Sequence, residues 1–171
     1  MLKVSRLSSS AYVELRNDET ATGQAVAALF LACLGYALGF TTLKILVLGE
    51  LPWALDSLLV GTLSQLLLSM LAALVWAFML FIVGTKLFKG KAKFWQLARP
   101  LFFSATPGIL FVLIAIPIYL VYATVFVGVF VWVILAGVLA LKNSMEFDYN
   151  RTLLTYIVGF VIGIVVYGFL R

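Results

Sequence analysis

Four long uncharged stretches, separated by short charged connections, dominate the pattern of the sequence. They cover residues 20–43, 57–85, 100–141 and 152–170. A membrane-spanning helix needs about 20 apolar residues, so three of these stretches hold one crossing each. The stretch 100–141 is about twice that length and divides near Pro117 into two crossings. The pattern therefore predicts an all-α, polytopic membrane helix bundle with five transmembrane helices, at 20–45, 56–88, 100–117, 119–142 and 150–170.

A polar segment, residues 1–19, precedes the membrane domain, residues 20–171. Val4, Leu7, Ala11 and Leu15 recur in this segment at helical spacing, which favours a short interfacial helix before the first crossing. A partly ordered tail is the alternative. The segment is longer and more mixed in charge than a signal peptide.

Small residues follow one stripe of the first crossing, and this stripe predicts close helix packing. Lipid supplies no hydrophobic drive between helices, so close backbone approach along small residues holds them together. Ala27 and Ala37 lie off the stripe and are expected to tolerate larger side chains. A glycine pair in the last crossing has the same spacing, and the predicted helix-packing residues are Ala28, Ala32, Gly35, Gly39, Gly159 and Gly163.

The third crossing is expected to begin at Pro100 and to bend within its length. Proline suits the first position of a helix, whereas inside a helix it removes a backbone hydrogen bond. The predicted hinge residues are Thr106, Pro107, Gly108 and Pro117. Gln65 is the most polar side chain of the second crossing; we expect it to make an interhelical hydrogen bond, and a ligand contact is the alternative.

A basic elbow, residues 86–99, joins the second and third crossings. Its apolar side chains, with Phe94 and Leu97 among them, recur at helical spacing, which predicts an amphipathic turn at the membrane surface. The residues expected to meet lipid headgroups or an acidic partner are Lys89, Lys91, Lys93, Trp95 and Arg99. A positive-inside anchor without further function is the alternative.

The distribution of basic residues predicts the orientation. With the N-terminus inside, ten of the 12 lysines and arginines lie in the cytoplasm, and Lys44 and Arg171 lie on the other side. Cytoplasmic loops carry an excess of basic residues. The expected arrangement is N-terminus in and C-terminus out.

Composition supports the membrane class and narrows the chemistry. The chain of 171 residues is 64% hydrophobic and 11% charged, against about 25% charged in soluble domains. It has no histidine and one cysteine, Cys33, expected to be buried, which excludes disulfide frameworks and zinc sites. The acidic residues lie in the connections. We therefore expect no catalysis, no cofactor, no metal and no nucleic-acid partner.

Several short motifs are spread over nearly the whole chain. They are ATGQA (residues 21–25), GTKLF (84–88), SATPG (104–108), Trp132 with LALK (139–142), and the short loop into Arg151-Thr152. With these motifs the chain resembles the Yip1-domain family, specifically its short prokaryotic members. The resemblance implies a five-helix membrane fold and no established activity. Eukaryotic members look like partners of Rab GTPases, but their long acidic cytoplasmic N-terminus is absent here, so that role is not carried over.

Three functions follow as hypotheses. The first is a non-catalytic accessory subunit, scaffold or assembly factor that packs against other membrane proteins and anionic lipids, as a homo- or hetero-oligomer. The second is a passage or carrier for a lipid or small solute through the kinked bundle. The third, an enzyme, has little support. The expected location is the plasma (inner) membrane of a prokaryote.

Overall fold

A computed structural model describes residues 9–50, 52 and 54–169, with side chains up to residue 165. It contains α-helices joined by one π and two 3-10 segments, and no strand occurs in this part of the chain. The α-helices are α1 (Ser9–Asn17), α2 (Thr22–Leu46), α3 (Leu55–Ile82), α4 (Phe94–Ser104), α5 (Tyr119–Met145) and α6 (Tyr149–Phe169). A short 3-10 turn (Glu19–Ala21) precedes α2, a π segment (Val83–Leu87) extends α3, and a long 3-10 segment (Thr106–Ala115) follows α4.

Among the described residues, four helical segments are long and apolar enough to cross a membrane. They are Glu19–Leu46, Leu55–Leu87, Phe94–Ala115 and Tyr119–Met145, and α6 adds a shorter apolar helix. These segments lie where the uncharged stretches placed crossings, so the predicted all-α, multi-pass architecture is confirmed.

Helix α2 lies at the centre of the bundle. It packs most extensively against the long 3-10 segment, then against α3 and α4. From Cys33 to Ile45 every second residue is buried, because opposite faces of α2 meet different neighbours. The expectation that Ala37 lies off the packed surface is therefore wrong, since it is 0% exposed, whereas Ala27 is exposed.

The third crossing differs from the predicted helix 100–117. Helix α4 begins at Phe94, where the Gln96 side chain accepts a hydrogen bond from the Lys93 backbone N–H at 2.8 Å. It runs through Pro100, which is buried inside the helix rather than at its start. After Ser104 the chain tightens into the long 3-10 segment, so the crossing is α-helical in one half and 3-10 in the other.

The end of the bundle that carries most basic residues, here called the basic end, is closed by α1. This helix packs against α4 and α5, and its Tyr12 is fully buried. The interfacial helix expected from the sequence therefore lies on the protein itself. Val4 and Leu7, from the same predicted stripe, lie outside the described residues.

Candidate functional site

The hinge of the third crossing and Gln65 meet at one cavity. This intramembrane cavity, of about 390 Å³, lies between α2, α3, α5 and the long 3-10 segment. Its walls are mainly apolar, and its polar groups come from two helices. The residues on which its character depends are Ala32, Cys33 and Tyr36 of α2, Gln65 and Ser69 of α3, and Gly108 of the 3-10 segment.

Helix α3 brings a free amide to this cavity. Gln65 is half-buried, and no other described residue forms a hydrogen bond with its side chain. One turn further on, the Ser69 hydroxyl donates to the Leu66 carbonyl at 3.0 Å. Because an unpaired amide is costly in apolar surroundings, Gln65 is the group best placed to bind a polar ligand or a partner's side chain.

The long 3-10 segment forms another wall, and its start is stabilised locally. Pro107 has no N–H, so the Phe103 carbonyl loses its helical partner, and the Thr106 hydroxyl donates to that carbonyl at 2.6 Å. A 3-10 helix has three residues per turn, and Gly108, Phe111 and Ile114 are buried at that spacing. The fourth predicted hinge residue, Pro117, is exposed before α5 and does not line the cavity.

The small residues of α2 pack against this 3-10 segment. A Cβ atom on Gly35 would lie 2.5 Å from the Ile109 carbonyl oxygen, and one on Gly39 would clash with the Phe111 carbonyl oxygen. A Cβ atom on Gly108 would lie 3.3 Å from the Cβ of Ala32. Ala28 is buried on the same helix. The backbones of the two elements are therefore in direct contact.

The predicted glycine pair of the last crossing lies elsewhere. Gly159 and Gly163 face α3, where their Cβ positions are 3.0 Å from Leu80 and 3.4 Å from Met79. These neighbours are side-chain atoms, so α6 packs less closely on α3 than α2 packs on the 3-10 segment.

The elbow residues divide into two groups. Lys89, Lys91 and Lys93 are exposed, and Trp95 is 43% exposed. Arg99 differs from the expected headgroup contact, because it is only 4% exposed and its Nη1 donates to the Arg16 carbonyl at 3.1 Å. The docking of α1 over α4 covers it.

A polar cluster at the basic end was not found from the sequence. Arg16 of α1 donates from Nη1 to Glu146 Oε1 at 2.6 Å, across 130 positions of the chain. Glu146 adopts the left-handed conformation (φ 58°) that ends α5, which directs its carboxylate toward α1. The hydrogen bond from Arg16, and its charge, hold the pKa of Glu146 below its ordinary value. Burial raises the pKa of Tyr12 to about 12, so this phenol is neutral at physiological pH.

Three buried polar atoms lack a hydrogen-bond partner within the described residues at or near this cluster: Arg16 Nε, Arg99 Nε and Ser144 Oγ. No group of three or more His, Cys, Asp or Glu side chains occurs in the described part of the chain. The two polar sites offer amide, hydroxyl, thiol and guanidinium groups, which hydrogen-bond a ligand or a neighbouring helix.

Comparison with known proteins gives one match. The profile of the Yip1 domain matches residues 7–170, nearly the whole chain. No curated protein and no solved structure matches it.

Proposed function

Because the chain belongs to the Yip1 domain family, we propose that it is a non-catalytic membrane protein serving as an accessory subunit, scaffold or assembly factor for other membrane proteins. The non-catalytic role is proposed because the sequence has no histidine and its acidic residues lie in connections. We further propose that the basic end faces the cytoplasm and that the membrane is the plasma membrane of a prokaryote.

The uncovered face of α3 is the observation that supports this role best. Few residues of α3 are buried, whereas leucines repeat along its outer face every four positions. Leu59, Leu63, Leu67 and Leu71 are 58 to 61% exposed. Residues on such a repeat form one ridge along a helix, which suits packing into the groove of another helix.

The length of this segment adds a second argument. Leu55–Leu87 has 33 residues, which corresponds to about 50 Å of helix. At the average tilt of about 20° it still spans about 47 Å along the membrane normal, against a hydrocarbon core of about 30 Å. Exposed apolar side chains at its ends therefore reach beyond the lipid tails, where contact with another protein removes them from water.

Purification of the full chain in a mild detergent tests the proposal. We expect a second membrane protein to co-purify in a fixed ratio, measured by native mass spectrometry. A stable monomer without any such partner, obtained from membranes in which the chain is expressed at its natural level, would contradict it.

Passage or carriage of a lipid or small solute is a second candidate, favoured by the intramembrane cavity. The amide of Gln65 and the break in the helix at Pro107-Gly108, both at this cavity, support this candidate. Reconstituted vesicles test this candidate with fluorescent lipid analogues. Lipid scrambling above that of empty vesicles, lost in Gln65→Leu and kept in the exposed control Leu67→Ala, supports it; activity equal to empty vesicles removes it.

A further inference from the structure

A second cavity is an open groove of about 600 Å³. It is lined by Trp76 of α3 and by residues of α5 and α6. Helices α3 and α5 make no extensive contact with each other in the described structure, while each packs against α6, so the groove occupies the gap between them. Val133 lines both this groove and the intramembrane cavity.

The walls of the groove are apolar and rich in aromatic rings. Trp76 and Tyr156 meet edge to face at 5.7 Å between ring centroids and form one side. Phe130 and Phe160 lie farther along the groove, on α5 and α6. Its volume falls in the range of ligand sites, about 300–1,000 Å³. The apolar lining of such a groove offers dispersion contacts to a lipid chain within the bilayer.

The ammonium group of Lys142 lies near the basic end of this groove. Val138 lines the groove from α5, and Lys142 follows it by four positions, one helical turn toward the basic end. Leu153 lines it from α6, and Tyr149 precedes it by four positions. The Nζ atom of Lys142 lies 3.5 Å from the centroid of the Tyr149 ring, so the two side chains link α5 and α6 one turn beyond the groove residues.

The nearby carboxylates are engaged with other residues. Glu146 pairs with Arg16 at 2.6 Å, and Asp148 lies 3.9 Å from Arg151. No described acidic side chain lies within 4.0 Å of Lys142, whose ammonium therefore keeps its charge available to an anion. Phosphate oxygens of a lipid headgroup are the anions found at this depth of a membrane.

We propose that the groove binds one acyl chain of an anionic phospholipid, with the lipid phosphate against the Lys142 ammonium. This resident lipid fills the gap between α3 and α5. The proposal does not depend on the scaffold role, because it concerns the groove beside α5 and α6 and not the leucine ridge on the outer face of α3.

Quenching of Trp76 fluorescence tests the site. A variant with Trp53, Trp95 and Trp132 replaced by Phe keeps Trp76 as its single tryptophan, and it is reconstituted in vesicles containing chain-brominated phosphatidylglycerol or chain-brominated phosphatidylcholine. We expect quenching to saturate at a lower mole fraction of brominated phosphatidylglycerol than of brominated phosphatidylcholine. Lys142→Gln should weaken this preference about fivefold, the contribution of one basic residue near an anionic surface. Val138→Phe, which fills the groove, should remove the saturable component.

Lys86→Gln is the matched control, since it removes the same charge from an exposed position on the π segment that extends α3, outside the residues expected to meet lipid headgroups. It should leave the preference unchanged. Equal quenching by both lipids in the single-tryptophan protein, or an equal loss in Lys86→Gln and Lys142→Gln, would overturn the proposal. Native mass spectrometry of the unaltered chain gives an independent measurement: one phosphatidylglycerol should remain bound, and its retention should fall in Lys142→Gln. Equal retention in both proteins contradicts the site even if the tryptophan variants fail to fold.

Discussion

Gly35 and Gly39 determine how closely α2 approaches the long 3-10 segment. A methyl group at either position would overlap a backbone carbonyl, which cannot move aside as a flexible side chain can. We expect Gly35→Ala and Gly39→Ala to destabilise the bundle by about 1–3 kcal/mol, the usual cost of overpacking. The measurement is thermal unfolding in detergent.

Gly23 provides the control for these substitutions. It lies on the same helix, and nothing lies within 4 Å of its Cβ position. Gly23→Ala should be neutral or stabilising by up to about 1 kcal/mol, because alanine favours the helix. Gly163→Ala should also be tolerated, because its nearest neighbour is a side-chain atom at 3.4 Å. Equal effects at Gly23 and Gly35 would contradict the close approach.

Glu146 makes the docking of α1 depend on pH. Its pKa is lowered from 4.5 by the hydrogen bond and charge of Arg16. A carboxyl whose pKa is lowered in the folded state stabilises that state fully above its ordinary pKa, and this contribution is lost as the pH falls through the lowered pKa. We expect the backbone amides of α1 to lose protection from hydrogen exchange as the pH falls below 4.5.

Glu146→Gln isolates this effect. Asp18, next to α1, also has a lowered pKa, caused by hydrogen bonds from Thr20, and it titrates in the same direction. The Gln variant should show weaker protection of α1 at neutral pH and a smaller further loss in acid. Identical pH profiles for the two proteins would show that the pair with Arg16 does not hold α1.

At the scale of elements, the long 3-10 segment depends on the Thr106 hydroxyl. Removing this group takes one donor from the Phe103 carbonyl, to which the Ala105 backbone N–H also donates, and the loss of one such hydrogen bond costs about 0.5–1.5 kcal/mol. We expect Thr106→Val to lower the melting temperature and to speed hydrogen exchange in residues 106–115. Thr106→Ser keeps the donor and should behave like the original protein; equal destabilisation in Ser and Val variants would contradict this role.

The sequence predicts the crossings well but not their helix types. The length of an uncharged stretch is enough to predict a crossing. The 3-10 segment, in contrast, is recognisable only by the burial of every third residue, at Gly108, Phe111 and Ile114. That short period lies inside an apolar run and does not stand out from it. Pro100 likewise resembles a helix start, yet the Gln96 cap and the apolar side chains around it begin the helix six residues earlier.

The sequence predicted single residues of the candidate site but not how they come together. Gln65 and the Pro107-Gly108 hinge each stand out by their chemistry, but their meeting at one cavity depends on how α2, α3 and the 3-10 segment pack. The pair Arg16–Glu146 carries no local signal, because its members are 130 positions apart and lie in polar connections. Arg99 resembles the exposed lysines beside it, and only the docking of α1 buries it.

At the scale of the whole molecule, cysteine labelling tests the proposed orientation, in which the basic end faces the cytoplasm. We expect cysteines introduced at Lys91 and Asn150 to react with a membrane-impermeant maleimide only after the cells are opened, and one at Glu50 to react from outside. All three positions are exposed, and Cys33→Ala removes the native thiol. Labelling of Lys91→Cys in intact cells, with Glu50→Cys protected, would reverse the topology.

Photo-crosslinking along the outer face of α3 tests the scaffold role most directly. A photoreactive amino acid is placed at Leu63 or Leu67 in the native membrane, with Val127 and Leu135 of α5, which are also exposed, as controls. We expect both α3 positions to give one adduct of the same mass, formed with a different membrane protein, and the α5 positions to give none. Adducts formed only with lipid or with a second copy of this chain, or equal adducts from α3 and α5, would contradict the account.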